Sequence, residues 1–263
     1  MDLAQVDPAR WKGRLRAGCL VVAAVILVAL FVPPLSLEVG RSEVAETVQF
    51  ALAALVVPPL IVLGAPWRTL GLAPGGGAAT GGRPFGRWAA VRERHPELIR
   101  ALAFLVVDVA VLVVWRTPAA VDALAAHGWL AAVEVVSVVV AGCGLWLELV
   151  DSPPLAPRVP RPWRAVLAAL ALWAVWIVAY LLGLSHAAWY PAYHHRPGVG
   201  LSVAAEQQLS TGILWLAAAC AFVPLVFTDV LEWLRREDDP DTELRRLLRA
   251  ERHAGGTSGG SGA

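Results

Sequence analysis

The chain has 263 residues, of which 57% are hydrophobic and 16% charged, with a formal net charge of +1. A soluble domain carries about 45–50% apolar and 25% charged residues, so these proportions exclude a water-soluble globular protein, and the near-neutral charge gives no support to nucleic-acid binding. Cys19, Cys143 and Cys220 each lie inside an apolar block at no ligand-like spacing, which argues against a disulfide framework or a thiolate metal site.

The apolar residues come in blocks about 20 long, the length that a hydrocarbon core of roughly 30 Å requires of a helix. Residues 1–16 form a polar, cytoplasmic N-terminus with Arg10, Lys12, Arg14 and Arg16. The run Ala17–Pro34 that follows is longer than the apolar region of a signal peptide and ends in Val32-Pro33-Pro34 without a small-x-small cleavage site, so it reads as an uncleaved first span. Further spans are expected at Val44–Gly64, Leu98–Trp115, Trp129–Val150, Ala165–Leu184 and Gln207–Leu231. Residues 65–97 make a cytoplasmic loop whose stretch Gly75–Gly82 lacks the strand and the Gly-Lys-Ser/Thr ending of a phosphate loop and reads as a linker. Residues 235–254, with Leu244, Leu247 and Leu248 on one stripe among arginines, suit an amphipathic helix on an anionic membrane surface. Residues 255–263 are Gly/Ser-rich and are expected to be a disordered tail.

Cations fix the orientation. Of the 22 lysines and arginines, only Arg41, Arg116 and Arg196 fall on one face, and all the others fall on the opposite one. The positive-inside rule places the crowded face in the cytoplasm. The expectation is an all-α, polytopic transmembrane helix bundle of six spans with both termini inside, residues 17–234 forming the membrane domain, in the inner membrane of a bacterial cell.

Polar side chains within spans cost about 2.5–3.5 kcal/mol for an Asp on insertion scales, so each invites a role. Glu46 and Gln49 lie three residues apart on one face near the outer end of the second span. There they could bind a cation or bond to a neighbouring helix. Glu134 lies near the outer end of the fourth, with Ser137 one turn on and His127 in the preceding loop. Glu206, Gln207 and Gln208 open the sixth span on the same side. Depth alone suggests that these groups share an outward-facing site. Asp108, near the middle of the third span, is expected to pair with another helix or to stay protonated. Glu148 and Asp229 read as interfacial. The outer loop from Ser185 to Arg196 holds aromatics suited to an interfacial belt, and its His186, His194 and His195 are candidate ligands for copper or zinc.

Several segments, in order, resemble the CtaG family of cytochrome c oxidase assembly factors. They are Gln49 followed by Val57-Pro58-Pro59-Leu60-Ile61-Val62-Leu63-Gly64-Ala65-Pro66, then Trp115-Arg116-Thr117-Pro118-Ala119, then Glu134 with Gly142 and Trp146. Tyr190-Pro191-Ala192-Tyr193 and Glu206-Gln207-Gln208-Leu209 with Gly212 and Trp215 complete the series. The resemblance implies a non-enzymatic role in maturing a haem-copper oxidase, with the lipid bilayer and oxidase subunits as partners and copper delivery on the outer side. It also exposes a departure. The family's His-x-x-Gln-His in the second span is here Glu46-Thr47-Val48-Gln49-Phe50, and its paired histidines in the fourth are replaced by a segment holding Glu134. Oxygen donors are harder than imidazole and disfavour copper. The competing reading is an ion- or proton-conducting transporter that uses the intramembrane acids. A membrane enzyme finds no nucleophile–base pair or cofactor fingerprint in any span.

Overall fold

The computed structural model describes residues 8–69, 97–153, 155, 157, 159–185, 189–193 and 202–237. The expected cytoplasmic linker, the surface helix of 235–254 beyond residue 237 and the Gly/Ser tail lie outside the described residues. All long elements are helices: α1 Pro8–Ala29, α2 Glu43–Gly64, α3 Glu97–Trp115, α4 Pro118–Ala126, α5 Leu130–Leu149, α6 Arg161–Leu184 and α7 Val203–Glu237. Among the described residues, α2, α3, α5, α6 and α7 are each long and apolar enough to cross a membrane. The sixth expected crossing is α1. Its helix takes in Lys12, Arg14 and Arg16 and ends at Ala29, just before Pro33 and Pro34, whose missing N–H groups cannot continue a helical ladder.

The surface of the bundle is that of a protein solvated by lipid. Val21, Val25 and Val28 on α1, Val106 and Val114 on α3 and Trp173, Ile177 and Leu181 on α6 all point outward and are exposed. Small and medium side chains line the interior, with Ala53, Val57, Ala101, Ala168, Ala179 and Ala218 fully buried. Such residues let helix backbones approach closely, which matters because lipid supplies no hydrophobic force between helices. α6 and α7 form an extended pair. The Trp176 indole stacks on Trp215 with centroids 4.7 Å apart and donates to the Trp215 carbonyl at 3.2 Å.

α2 is the central helix and the one most enclosed by its neighbours. It is not uniform: Glu43–Ala51 and Val57–Gly64 are α-helical, and Leu52–Val56 between them is a π-helical turn. Pro58 and Pro59 explain it. A proline inside a helix removes a hydrogen bond and collides with the carbonyl four residues back, and the wider turn just before them relieves both effects. Gly142 on α5 fits against the result. A Cβ there would stand 2.7 Å from Pro58 Cγ. The cytoplasmic end of α2 stops at Ala65, whose φ of 49° is left-handed, and the Ser152 hydroxyl donates to the Val62 carbonyl, which also accepts from the Ala65 N–H at 3.2 Å.

A buried ion pair closes the cytoplasmic end. Arg100 of α3 grips Glu148 of α5 with Nε to Oε1 at 3.0 Å and Nη2 to Oε2 at 2.8 Å, and both side chains are buried. The interfacial placement expected of Glu148 is thus corrected: a bidentate arginine lets the carboxylate sit fully inside the protein. Further out on the same side, Arg161 pairs with Glu232 at 2.6 Å and Arg164 with Asp151 at 3.5 Å.

Two outcomes follow for stability in detergent. Gly142→Leu should cost about 1–3 kcal/mol by overpacking against Pro58, read as a lower midpoint of thermal unfolding. Arg100→Met or Glu148→Met alone should cost roughly 3–5 kcal/mol, because each strands a buried charge, whereas the double substitution should recover most of that loss. A double-mutant cycle of unfolding midpoints checks this.

Candidate functional site

The outer end of the bundle is organised around one arginine. α3 ends at Trp115, and Thr117 then caps α4, its hydroxyl accepting from the Ala120 N–H at 3.4 Å, with Pro118 at the first helical position where a missing N–H is harmless. Arg116 lies at this corner. Its guanidinium turns into the bundle, where the residue is only 4% exposed.

Two helices meet it there. Arg116 Nη2 donates to Glu46 Oε1 on α2, and Nη1 lies 3.5 Å from the Thr47 hydroxyl. Nη2 also stands 3.8 Å from Glu134 Oε1 on α5, within ion-pair range but without a hydrogen bond. The Phe50 ring lies beneath, its centroid 4.1 Å from the guanidinium carbon, a distance at which a cation is attracted to the ring face. Burial works against the charge on Arg116, but Glu46, Tyr190 and Glu134 outweigh it and hold the guanidinium protonated above its ordinary range.

A second layer of contacts seals the site from outside. The Tyr190 hydroxyl donates to the Arg116 carbonyl at 3.1 Å, the Tyr193 hydroxyl to the Val39 carbonyl at 3.2 Å, and the Ala192 N–H to Asp122 Oδ1 on α4 at 3.1 Å. Trp189 N–H donates to Gln207 Oε1, and the Gln207 amide donates to the Leu182 carbonyl at 2.7 Å. The segment Trp189–Tyr193, which holds the Tyr-Pro-Ala-Tyr motif, is therefore a strap across the outer face, tied to the end of α3, to α4, to α7 and to the segment before α2. Burial pushes the Tyr190 phenol up to about 12, against the pull of Arg116 and with the help of Glu46 and Glu43.

The expected shared site is partly assembled. Glu46, Gln49 and Glu134 line one cavity of about 240 Å³ together with Leu30, Gly128 and Tyr193. Gln49 donates to the Leu30 carbonyl at 3.3 Å and so ties α2 to the end of α1. Glu206 accepts from the Ser42 hydroxyl at 3.3 Å, linking α7 to the start of α2. Gln208 is exposed, one helical step from its buried neighbours, and takes no part. His127 is also exposed, its ring bonded only to the Ala123 carbonyl at 3.3 Å. His186, His194 and His195 lie outside the described residues. Asp108 is half-buried in α3 and forms no hydrogen bond or ion pair among the described residues.

Arg116 and Tyr190 are the members that sequence reasoning missed. Arg116 stood among the three cations of the outer face and within a matched motif, and its position directly after a span-ending tryptophan was the signal available.

The model of the cytochrome c oxidase caa3 assembly factor family (Caa3_CtaG) matches residues 2–236. The chain belongs to this family. No curated protein and no solved structure matches it. The second-span positions where the resemblance led to an expectation of histidines hold Glu46 and Phe50, the corresponding fourth-span segment holds Glu134, and all three surround Arg116. Copper prefers imidazole and thiolate, whereas the described donors are carboxylate and amide oxygens with a guanidinium between them. These residues do not fit copper. Among the described residues, no group of three or more His, Cys, Asp or Glu stands together in a way that could hold a metal ion.

Tyr190 gives the site a pH signature. Its phenol is held above the unfolded value of about 10, so its contribution to stability is fully present below pH about 10 and is lost as pH rises to about 12. Tyr190→Phe should cost about 0.5–1.5 kcal/mol at pH 8 and should flatten the fall in unfolding midpoint between pH 9.5 and 11 (on the order of the phenol range).

Proposed function

We propose that the chain serves the maturation of a haem-copper cytochrome c oxidase as a membrane-embedded partner that acts at the outer face, through the surface built by the Trp189–Tyr193 strap, α4 and the outer ends of α2 and α5. The observation that carries this reading is that an assembly-factor chain places most of its buried polar groups there, with the strap Trp189–Tyr193 bonded to four separate segments. So rigid an outer face suits recognition of another membrane protein more than transport. No catalytic step is part of this reading.

Copper enters it only as cargo. Any hand-over would fall to His127 and to His186, His194 and His195 of the outer loop, because the oxygen-rich cluster around Arg116 does not suit the ion. The conducting alternative is less well supported. Asp108 is eight residues before Arg116 on α3, a separation of about 12 Å along the helix, and Glu46 and Glu134 are already engaged by a fixed cation.

The test is co-purification of a tagged copy from its native membrane, together with oxidase spectra of a deletion strain. Oxidase subunits should accompany the chain, and the assembled haem-copper oxidase should fall several-fold on deletion. Unchanged oxidase levels with no oxidase subunit recovered would remove the proposal. Copper content of the purified chain, compared with a His127, His186, His194 and His195 quadruple Ala variant, tests the cargo arm separately.

A further inference from the structure

We propose that Arg116 is a resident cation: its guanidinium occupies, from within the chain, a cation site formed by Glu46, Glu134 and Phe50, and so closes that site to metal ions while leaving it latent beneath the side chain. The inference goes beyond the assembly role and does not rest on it.

The geometry is that of an occupied site. Two carboxylates from different helices and one aromatic face converge on a single positive group. A divalent ion bridging Glu46 and Glu134 would need oxygen distances of about 2.0–2.6 Å. Nη2 already bonds Glu46 Oε1 and stands 3.8 Å from Glu134 Oε1, so the nitrogen fills the interval that an ion would use. An incoming metal would have to displace a buried guanidinium and leave it without a counter-ion, which is costly in a low-dielectric interior. Arginine also cannot lose its proton in a protein, so neither base nor a chelator can empty the site. Two oxygens point to what lies beneath: Glu46 Oε2 and Glu134 Oε1 are buried without a hydrogen-bond partner, and both residues line the 240 Å³ cavity. Removing the arginine side chain would join its volume to that cavity and leave two carboxylates facing each other.

The test uses the full chain in detergent. Wild-type protein should bind neither Mn²⁺ nor Cu⁺ at the acids, and its unfolding midpoint should be unmoved by chelators. Arg116→Ala should have a markedly lower midpoint that rises with millimolar guanidinium (order of magnitude set by mass action) or with Mn²⁺, a cation that accepts oxygen ligands. The triple variant R116A/E46Q/E134Q should respond to neither. If Arg116→Ala is lost on extraction, the two Gln substitutions should restore a folded protein, because the two carboxylates that faced the guanidinium no longer repel each other. Stoichiometric metal in wild type that disappears in E46Q/E134Q would overturn the proposal. So would a folded Arg116→Ala that ignores both cations, or a loss on extraction that the Gln substitutions fail to correct.

Discussion

A charge held inside a membrane protein must be answered by groups brought to it, and Arg116 sets that demand for the outer half of this molecule. Its guanidinium requires α2 to present Glu46 and Thr47, α5 to present Glu134, and Phe50 to lie flat beneath it. Its carbonyl in turn anchors Tyr190, so the same residue organises helices with its side chain and a loop with its backbone.

The cytoplasmic end repeats the device with different partners. Arg100 and Glu148 join α3 to α5 there, and Arg116 and Glu134 bring the same two helices together at the outer end. Between these points the contact is made by apolar and small side chains, including Gly144 against Phe104. Ion pairs are directional, whereas apolar packing in lipid allows helices to slide and rotate. Two fixed points on one helix pair therefore define its register along the membrane normal.

Much of this was legible in the sequence. Length and apolarity alone mark the crossing helices, and the scarcity of outer cations orients them, because both follow from the bilayer's thickness and charge asymmetry. The acids Glu46 and Glu134 announce themselves by cost. What could not be read was pairing, since depth fixes a residue's height but not its neighbour across the bundle. Glu148 looked interfacial because it lies near a helix end, and only the arrival of Arg100 from α3 makes its burial possible. Gln208 looked like a member of the outer cluster because it sits beside two that are, yet one residue of helix turns it by about 100° and out of the protein. Arg116 was hidden by the opposite error: an arginine at a span boundary normally reaches for water, and here, at the Thr117-Pro118 corner, it turns inward.

The π-helical turn in α2 has a consequence for how one helix can serve two different environments. An extra residue in a turn rotates everything beyond it by roughly 100°. Accordingly, the outer segment Glu43–Ala51 packs on α7, while Val57–Gly64 packs on α1 and α5. The helix thus works as a crankshaft, with two bearing faces set at an angle on one axle. Substitutions in one half need not disturb the seating of the other, so the polar outer face can vary while the proline-bearing half keeps its fit against Gly142.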